Sequence, residues 1–429
     1  MSTENLKSAS NQLPIDSLKN LLGERVSTAQ SVREQHGRGE SWHPLQMPDA
    51  VCFVQTNEEV AQIVKICAET GTPVIAFGTG TSLEGQVQAK YGGICIDLSQ
   101  MDAVLELNSD DLDCRVQAGV TRRQLNQYLR DTGLFFPVDP GADTSIGGMA
   151  ATRASGTNAV KYGTMRENVL GLTVVTASGE IIKTGTRARK SSAGYDLTKL
   201  FVGSEGTLGI ITEIQLRLYG LSEAISAAIV NFPDIRSAAE ATMLTIQMGI
   251  PVARIELIDT AYIRAVNQYS KTDYPELDTL FLEFHGTQAG VAEQVKLFQE
   301  ISSEFGASGF QWAQKEEDRS RLWRARHDAY YAGLAVMPGS RGYVTDVCVP
   351  ISRLAECIAE TQADIAEQDL FAPIVGHVGD GNFHCTVFFD PADDAMFEKI
   401  LAFDRRLVKR ALAMGGTCTG EHGIGTGKL

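Results

Sequence analysis

A Gly-rich stretch between two imidazoles, near the carboxyl end, restricts the fold of this chain more than any other sequence feature. It reads Gly-His-Val-Gly-Asp-Gly-Asn-Phe-His and spans residues 376–384. Asp-Gly is a preferred dipeptide of two-residue type I′ hairpins, because both central residues need φ > 0. With Asp380-Gly381 as the loop, His377 faces His384, and the Cβ atoms of such opposed residues lie roughly 5 Å apart. The pattern predicts a hairpin that presents both imidazoles on one face.

The predicted imidazole pair suits two nitrogen ligands of one divalent metal ion. A second Gly-rich stretch, residues 420–425, adds a carboxylate and an imidazole in Glu421 and His422. Adjacent residues of an extended chain point in opposite directions, which fits one metal ligand and one free base. In the structural alternative, backbone carbonyls satisfy the hairpin imidazoles and Glu421 lies in solvent. Three of the seven histidines fall in these two stretches, which favours a functional site.

Length, charge and cysteine content restrict the class of protein. The 429 residues allow two or three domains. A formal net charge of −15 repels phosphate backbones and argues against nucleic-acid binding. The eight cysteines form no C-x-x-C pair, which indicates free thiols of a reducing compartment. We find no leader peptide and no apolar run of membrane-spanning length, so we expect a cytoplasmic protein, with peripheral contact to the inner face of a membrane left open.

Element patterns divide the chain into four parts. Residues 1–45 are polar and predict an N-terminal arm, and residues 46–220 alternate short strands, helices and Gly-rich turns. Over residues 221–415, strand and helix patterns follow one another in the order of a split βαβ, ferredoxin-like layout. Residues 416–429 return to Gly-rich chain. The predicted fold class is therefore α+β.

The first Gly-rich loop, residues 78–85, follows a short apolar strand and predicts an anion-binding site. Successive backbone N–H groups of a Gly-rich turn form a nest for phosphate. Thr79, Thr81 and Ser82 add hydroxyl donors. A Rossmann site with Asp97 as the ribose acid fits poorly, because the third Gly is missing and only about ten residues precede the next strand. A plain surface turn stays open, since short Gly motifs are common.

Taken together, the Gly-rich stretches resemble a known flavoprotein superfamily. Residues 78–85, 145–163 and 204–211 are similar to the flavin-binding domain of the vanillyl-alcohol oxidase/p-cresol methylhydroxylase superfamily. Residues 376–384 with 420–425 resemble its branch of FAD-dependent, cytochrome-type D-lactate dehydrogenases and glycolate oxidases. The order of the four motifs makes this resemblance specific, and it covers most of the chain.

The resemblance implies an FAD-binding domain followed by a ferredoxin-like substrate (cap) domain. FAD should be bound non-covalently, because the loop at the pyrophosphate contains no histidine for attachment. Small residues further along the chain would line the flavin and the dinucleotide. The implied cofactor-binding residues are Gly78, Thr79, Gly80, Thr81, Ser82, Gly85, Pro140, Gly141, Thr144, Ser145, Gly147, Gly148, Ala151, Ser155, Gly156, Tyr162, Gly163, Glu205, Gly209 and Ile211.

The resemblance also implies the chemistry: oxidation of a D-2-hydroxy acid, D-lactate first of all, by hydride transfer from C2 to flavin N5. It makes His377, His384 and Glu421 ligands of one divalent metal that lowers the pKa of the substrate hydroxyl. His422 would be the base, and Arg326 would bind the substrate carboxylate. The ligand set accommodates zinc, manganese or iron. The electrons would pass to a cytochrome, a quinone or an electron-transfer flavoprotein, and not to NAD.

Several alternatives stay open at this point. Arg326 can instead pair with the acidic residues 316–318 on a helix surface, and we expect His285 to be structural. No second cation lies near Thr345 and Asp346, which favours a monocarboxylate over D-2-hydroxyglutarate. The rival functions are a glycolate oxidase flavoprotein subunit, a D-2-hydroxyglutarate dehydrogenase and, in another class, a non-catalytic flavin- and metal-binding protein. A homodimer is also left open.

Overall fold

The structure is a computed structural model that describes residues 13–429. The part of the predicted N-terminal arm that covers residues 1–12 lies outside the described residues. The rest of that segment packs against the first sheet, where Leu18 and Leu22 are buried in the core. Val26 pairs with Cys52 in an antiparallel ladder. This packing fixes the segment to the domain that follows it.

The first half of the chain forms a small, mostly parallel sheet and a larger antiparallel sheet with helices around them. Its strands are β1 (Val26–Ser27), β2 (Ala50–Phe53), β3 (Val74–Phe77), β4 (Ile94–Asp97), β5 (Val104–Asn108), β6 (Asp113–Gln117), β7 (Leu134–Phe135), β8 (Val169–Thr176), β9 (Ile181–Lys183), β10 (Gly209–Arg217) and β11 (Tyr219–Gly220). Its helices are α1 (Ile15–Leu22), α2 (Gln30–His36), α3 (Asn57–Thr70), α4 (Arg122–Leu129), α5 (Ile146–Thr152), α6 (Ala159–Tyr162), α7 (Met165–Asn168) and α8 (Leu197–Phe201). The strand orders are β1-β2-β4-β3 and β5-β6-β10-β8-β9, and β11 pairs with β7.

Helix α3 shows how local sequence sets an element here. The Thr56 side chain caps it by accepting the Glu59 N–H, an interaction worth about 1 kcal/mol. The helix ends at Gly71, whose φ of 64° lies in the left-handed region that favours glycine. Val60, Ile63, Val64 and Cys67 recur at helical spacing in the sequence, which predicts one apolar helix face, and all four are buried. The sequence prediction for this helix is confirmed.

The second half forms one continuous sheet with helices packed on it. Its strands are β12 (Ala224–Phe232), β13 (Val252–Ile258), β14 (Asp278–Gly286), β15 (Ser308–Ala313), β16 (Arg341–Val344), β17 (Val347–Cys348), β18 (Ile374–Gly376) and β19 (Asn382–Phe389). Its helices are α9 (Ile235–Gln247), α10 (Thr260–Ser270), α11 (Gln288–Glu304), α12 (Glu316–Val336), α13 (Leu354–Glu367) and α14 (Asp394–Ala413). The strand order is β15-β12-β14-β13-β18-β19-β16, and β17 also pairs with β19.

Helix α10 is an element that the sequence pattern did not reveal. Its N-cap, Asp259, accepts the Tyr262 N–H directly after strand β13. The same carboxylate accepts the N–H of Ile374 from strand β18. Because that second bond joins residues far apart in the sequence, no local sequence pattern predicts it.

The predicted two-residue hairpin at Asp380-Gly381 is wrong. Strand β18 already ends at Gly376, and a 3-10 turn over Val378–Asp380 follows it. The turn is closed by the Asp380 N–H, which donates to the His377 carbonyl at 3.0 Å. Within the dipeptide, positive φ is recorded for Gly381 alone, at 78°, whereas a type I′ turn needs it at both residues.

The longer turn changes the register of the ladder. Val375, and not His377, is the partner of His384. The physical reason is the burial of Val378, which packs fully into the core of the second half. The two imidazoles nevertheless come together, because His377 turns back toward β19 from the start of the 3-10 turn.

The described part of the chain offers no candidate membrane span: none of its helices is long and apolar enough. Its eight cysteines are free thiols, in agreement with the sequence analysis. Each half has its own large hydrophobic core, and a cavity lies between the two halves.

Candidate active site

A cavity of about 1300 Å³ lies between the two halves. It is larger than most small-molecule sites, which span roughly 300–1,000 Å³. Most of the residues implied as cofactor-binding line its wall: Gly78, Thr79, Gly80, Thr81, Ser82, Pro140, Gly141, Thr144, Ser145, Gly147, Gly148, Ala151, Ser155, Gly156, Glu205, Gly209 and Ile211. Separate Gly-rich stretches of the sequence therefore form one surface.

Three of the implied cofactor residues lie away from the cavity wall. Gly85 packs so closely against Thr426 that a Cβ there would lie 2.4 Å from its hydroxyl oxygen. The Tyr162 hydroxyl bonds to Nδ1 of His285 at 2.9 Å. Gly163 ends helix α6 with a positive φ. These positions shape the backbone and do not line the cavity.

The wall of the first half fits a flat, polar ligand. A Cβ on Gly78 would lie 2.2 Å from Oγ of Ser145, so only glycine allows the first loop to approach helix α5 this closely. The Thr144 hydroxyl on the wall is buried and finds no partner among the described residues. A buried hydroxyl without a partner is costly, which favours a ligand that bonds to it.

The three implied metal ligands meet on the wall of the second half. Nε2 of His377 and Nε2 of His384 each lie 3.1 Å from Oε1 of Glu421. The two imidazole rings are 5.6 Å apart and nearly perpendicular. Two ligands of a tetrahedral zinc ion, each about 2.0–2.1 Å from it, lie roughly 3.3 Å apart. The donor set and its spacing therefore fit one divalent metal.

Hydrogen bonds behind the imidazoles fix their orientation. Nδ1 of His377 donates to Glu256 at 2.6 Å, and Nδ1 of His384 donates to the Thr345 carbonyl at 3.0 Å. Both rings therefore turn Nε2 toward Glu421, an arrangement that orients histidine ligands in metal sites. Burial would lower the pKa of His377, but Glu256 and Glu421 outweigh it and raise that pKa. Burial would raise the pKa of Glu421, but the imidazoles hold it well below its ordinary value.

Asp346 builds the turn that carries Glu421 and His422. It is fully buried, and its Oδ2 accepts the backbone N–H groups of Gly420, Glu421 and His422 at 2.7, 2.9 and 2.9 Å. The Thr419 hydroxyl donates to the same oxygen at 2.6 Å. Burial alone would raise the pKa of Asp346, but the neighbouring imidazoles and these donors lower it. The sequence analysis noted Asp346 without foreseeing this role.

Asp346, His384 and His422 form a second group close enough to hold a cation. The surroundings of Asp346 argue against that role. Oδ1 accepts the Asn382 side-chain amide at 2.7 Å, and Oδ2 already accepts several donors. An oxygen atom surrounded by N–H and O–H donors is a poor metal ligand, so the group around Glu421 is the better candidate.

His422 lies next to the candidate metal group. Its ring stacks on that of His384 at 5.0 Å and 7°, and it lines the cavity. Its Nδ1 is 3.5 Å from a carboxylate oxygen of Glu84. Burial would lower the pKa of His422, but Asp346 and Glu84 outweigh it and raise the pKa. Glu421 and His422 thus reach one site from consecutive positions.

Arg326 also lines the cavity, on helix α12. Its Nε donates to Glu256 at 2.9 Å, and not to the acidic residues 316–318. This bond uses one of the five N–H donors of a guanidinium, and a bidentate contact through the two Nη groups is compatible with it. Arg326 and His377 therefore share one carboxylate.

Glu256 and Arg254 are site residues that the sequence analysis missed. Both lie on strand β13, where they alternate with Ile255 and Leu257. Arg254 lines the cavity and bonds to Asp139 at 3.1 Å. Charges at alternate positions of an otherwise apolar strand mark one face of a sheet, and this signal was available in the sequence.

Comparisons with known proteins agree with this geometry. A domain family described as "FAD binding domain" matches residues 48–185, and one described as "FAD linked oxidases, C-terminal domain" matches residues 221–429. A 4-ethylphenol oxidase from Gulosibacter chungangensis, 18% identical, superposes with a TM-score of 0.77 over 95% of this chain and 88% of its own. The two domain families thus define an FAD-linked flavoprotein, and the superposition shows that it has the fold of the vanillyl-alcohol oxidase/p-cresol methylhydroxylase type.

Two curated relatives narrow the assignment. The "Probable D-lactate dehydrogenase, mitochondrial" of Danio rerio is 54% identical over 426 residues, which are 98% of this chain and 86% of that protein. The "D-lactate dehydrogenase [cytochrome], mitochondrial" of Arabidopsis thaliana is 44% identical over 417 residues, 97% of this chain and 74% of that protein. The chain belongs to this family of FAD-linked D-lactate dehydrogenases.

Proposed function

We propose that the protein oxidises a D-2-hydroxy acid, D-lactate first of all, to the 2-oxo acid, with FAD and not NAD as the first electron acceptor. One observation carries this proposal: His377, His384, Glu421 and His422 meet on the wall of the cavity that the small residues of the first half also line. The names of the relatives support the choice of D-lactate.

Each functional group around the cavity has its own role in the reaction. Arg326 binds the substrate carboxylate at the cavity wall. His422 takes the hydroxyl proton on Nε2, because its Nδ1 faces Glu84. A divalent metal held by His377, His384 and Glu421 would lower the pKa of the substrate hydroxyl, with zinc, manganese and iron as candidates. FAD, when bound non-covalently, supplies the acceptor for the two electrons lost at C2.

The domain division follows from the same proposal. An FAD-binding domain covers residues 46–220, and a substrate domain with the metal site covers residues 221–415. Residues 1–45 are the N-terminal arm, and residues 416–429 return to the active site with Glu421 and His422. Limited proteolysis with and without FAD tests these boundaries.

Partners and compartment are part of the proposal too. Relatives named for a cytochrome favour a cytochrome as the later electron acceptor, with a quinone or an electron-transfer flavoprotein as alternatives. The sequence predicts the cytoplasm and leaves contact with the inner face of a membrane open, whereas the relatives are named as mitochondrial. Cell fractionation separates these locations, and light scattering tests for a homodimer.

The decisive experiment is anaerobic mixing of the FAD-loaded protein with single 2-hydroxy acids. D-lactate should bleach the flavin absorbance and L-lactate should not. Faster bleaching by glycolate or D-2-hydroxyglutarate would favour one of the rival enzymes, and no bleaching by any of them would favour a non-catalytic protein. A chelator should suppress the bleaching while the flavin stays bound, which tests the metal separately.

A further inference from the structure

Glu256 occupies an unusual position behind the site. It projects from strand β13, its side chain is 1% exposed, and it does not line the cavity. Its two oxygens bind two different functional groups: Oε1 accepts from Nδ1 of His377 at 2.6 Å, and Oε2 accepts from Nε of Arg326 at 2.9 Å. One buried carboxylate therefore orients an implied metal ligand and the implied carboxylate-binding arginine.

We propose that Glu256 is a positioning residue that couples metal binding at His377 to substrate-carboxylate binding at Arg326. This inference rests on the roles given to His377 and Arg326 in the proposed function. Glu256 touches neither metal nor substrate and acts through these two side chains.

The coupling has a simple electrostatic origin. Hydrogen bonds between charged groups are short and about twice as strong as neutral ones, and here both share one negative charge in a buried environment. A carboxylate behind a histidine ligand fixes its orientation and raises its basicity. Because both hydrogen bonds share one carboxylate, removing the charge of Arg326 changes how strongly Glu256 attracts the Nδ1–H of His377. A change at His377 in turn changes how strongly Glu256 attracts the Arg326 guanidinium.

A neighbouring strand supplies a matched control. Glu283 on β14 is also buried, accepts from Nε2 of His285 at 2.6 Å and lies 3.7 Å from Nη1 of Arg254. With His285 and Arg254 it forms a group of the same three side-chain types, yet the other ring nitrogen of its histidine bonds to the Tyr162 hydroxyl and does not face Glu421. Loss of the Glu283 charge should therefore leave metal binding unchanged.

The first test compares Glu256→Gln with Glu283→Gln in the FAD-loaded protein. Glu256→Gln should weaken Mn²⁺ binding in equilibrium dialysis by about tenfold, the usual scale for a group behind a ligand. It should also raise KM for D-lactate by about tenfold, because the guanidinium loses a partner, with kcat at saturating Mn²⁺ and D-lactate within about threefold. Glu283→Gln should change Mn²⁺ affinity and KM by less than about twofold.

A double-mutant cycle tests the coupling without any substrate. In the otherwise unchanged protein, Arg326→Met should change Mn²⁺ affinity by roughly threefold or more. In the Glu256→Gln background the same substitution should leave Mn²⁺ affinity unchanged. Equal effects in both backgrounds would overturn the proposal. If Glu256→Gln loses FAD or unfolds, Glu256→Asp keeps the charge but shifts it, and the same cycle is run in that background.

The outcomes separate this inference from the proposed function. If D-lactate bleaches the flavin but Glu256→Gln alters neither Mn²⁺ affinity nor KM, the coupling is wrong and the proposed function stands. If the affinity cycle behaves as expected but no 2-hydroxy acid bleaches the flavin, the proposed function is wrong while the link between His377 and Arg326 stands.

Discussion

Two groups of the same three side-chain types are centred on glutamates of adjacent strands of the second sheet, Glu256 on β13 and Glu283 on β14. The Glu256 triplet consists of His377, Glu256 and Arg326, and the Glu283 triplet consists of His285, Glu283 and Arg254. In each triplet a buried carboxylate joins an imidazole, at 2.6 Å in both, to a guanidinium. Burial would raise the pKa of either glutamate, but the neighbouring histidine and arginine side chains lower both. A perturbed carboxylate therefore does not by itself identify the active site.

The difference lies in the second nitrogen of each imidazole. Nδ1 of His285 bonds to the Tyr162 hydroxyl, so both ring nitrogens serve the protein itself. Nε2 of His377 faces Glu421, which reaches it from far along the chain. Arg254 also serves the structure, because it bonds to Asp139 and thereby links the two halves of the chain. Similar chemistry therefore supports structure in one triplet and leaves a candidate metal-coordination site in the other.

Replacing the histidine of each triplet in turn should give the largest difference between the two triplets. His377→Ala should abolish Mn²⁺ binding and slow anaerobic flavin reduction by D-lactate by about 10³-fold or more, since a metal contributes several kcal/mol of charge stabilisation. His285→Ala should cost about 1–3 kcal/mol of unfolding free energy through its unpaired partners but leave the reduction rate within about twofold. Stopped-flow absorbance and chemical denaturation measure the two effects, and similar rate losses would contradict the distinction.

His422→Ala separates the base from the metal. We expect flavin reduction to slow by about 10²–10⁴-fold, the usual contribution of a general base. Mn²⁺ content should stay unchanged, because the implied ligands are His377, His384 and Glu421. Metal analysis beside single-turnover kinetics distinguishes the roles, and loss of metal in this variant would make His422 a ligand.

Asp346→Asn weakens the turn that carries Glu421. One oxygen of the carboxylate becomes an N–H₂ group that faces existing donors, so the backbone N–H groups of the turn lose part of their acceptor. Mn²⁺ affinity should fall by about 10–100-fold. Asp393→Asn, at the cap of helix α14, is the control and should leave that affinity unchanged. Wild-type affinity in Asp346→Asn would mean that the turn forms without this carboxylate.

A third imidazole–carboxylate pair, without an arginine, gives the smallest effect. His36 donates from Nδ1 to the Val32 carbonyl and from Nε2 to Asp97, both at 2.7 Å. Burial would lower the pKa of His36, but these acceptors outweigh it and raise that pKa above its ordinary value. Asp97, considered in the sequence as a ribose acid, is thus held by His36.

This raised pKa makes stability depend on pH. The stabilisation is complete below the unfolded pKa of about 6.5 and is lost as the pH rises through the folded pKa. Between about pH 6 and pH 9, the wild-type unfolding free energy should therefore fall by about 1 kcal/mol more than that of His36→Gln. Denaturant titrations at both pH values provide the measurement, and parallel pH dependence in the two proteins would contradict it.

The sequence determined the local elements and predicted residues that the fold brings to the cavity wall. Helix α3 follows from its cap, its apolar face and Gly71, and the Gly-rich loops follow from positions that only glycine can occupy. The sequence pattern predicts a strand over Asn382–Phe389, and strand β19 has these bounds. These features are set by interactions between residues close in sequence, which a pattern can record.

Tertiary structure alone decided the register at His384 and the partners of the charged groups. Burial of Val378 replaced the two-residue hairpin by a longer turn, although Asp380-Gly381 is a favourable hairpin sequence. Glu256 joins His377 and Arg326 across separations of 121 and 70 residues. A buried charge takes whichever partners the fold brings to it, because leaving it unpaired costs more than any local preference can offset.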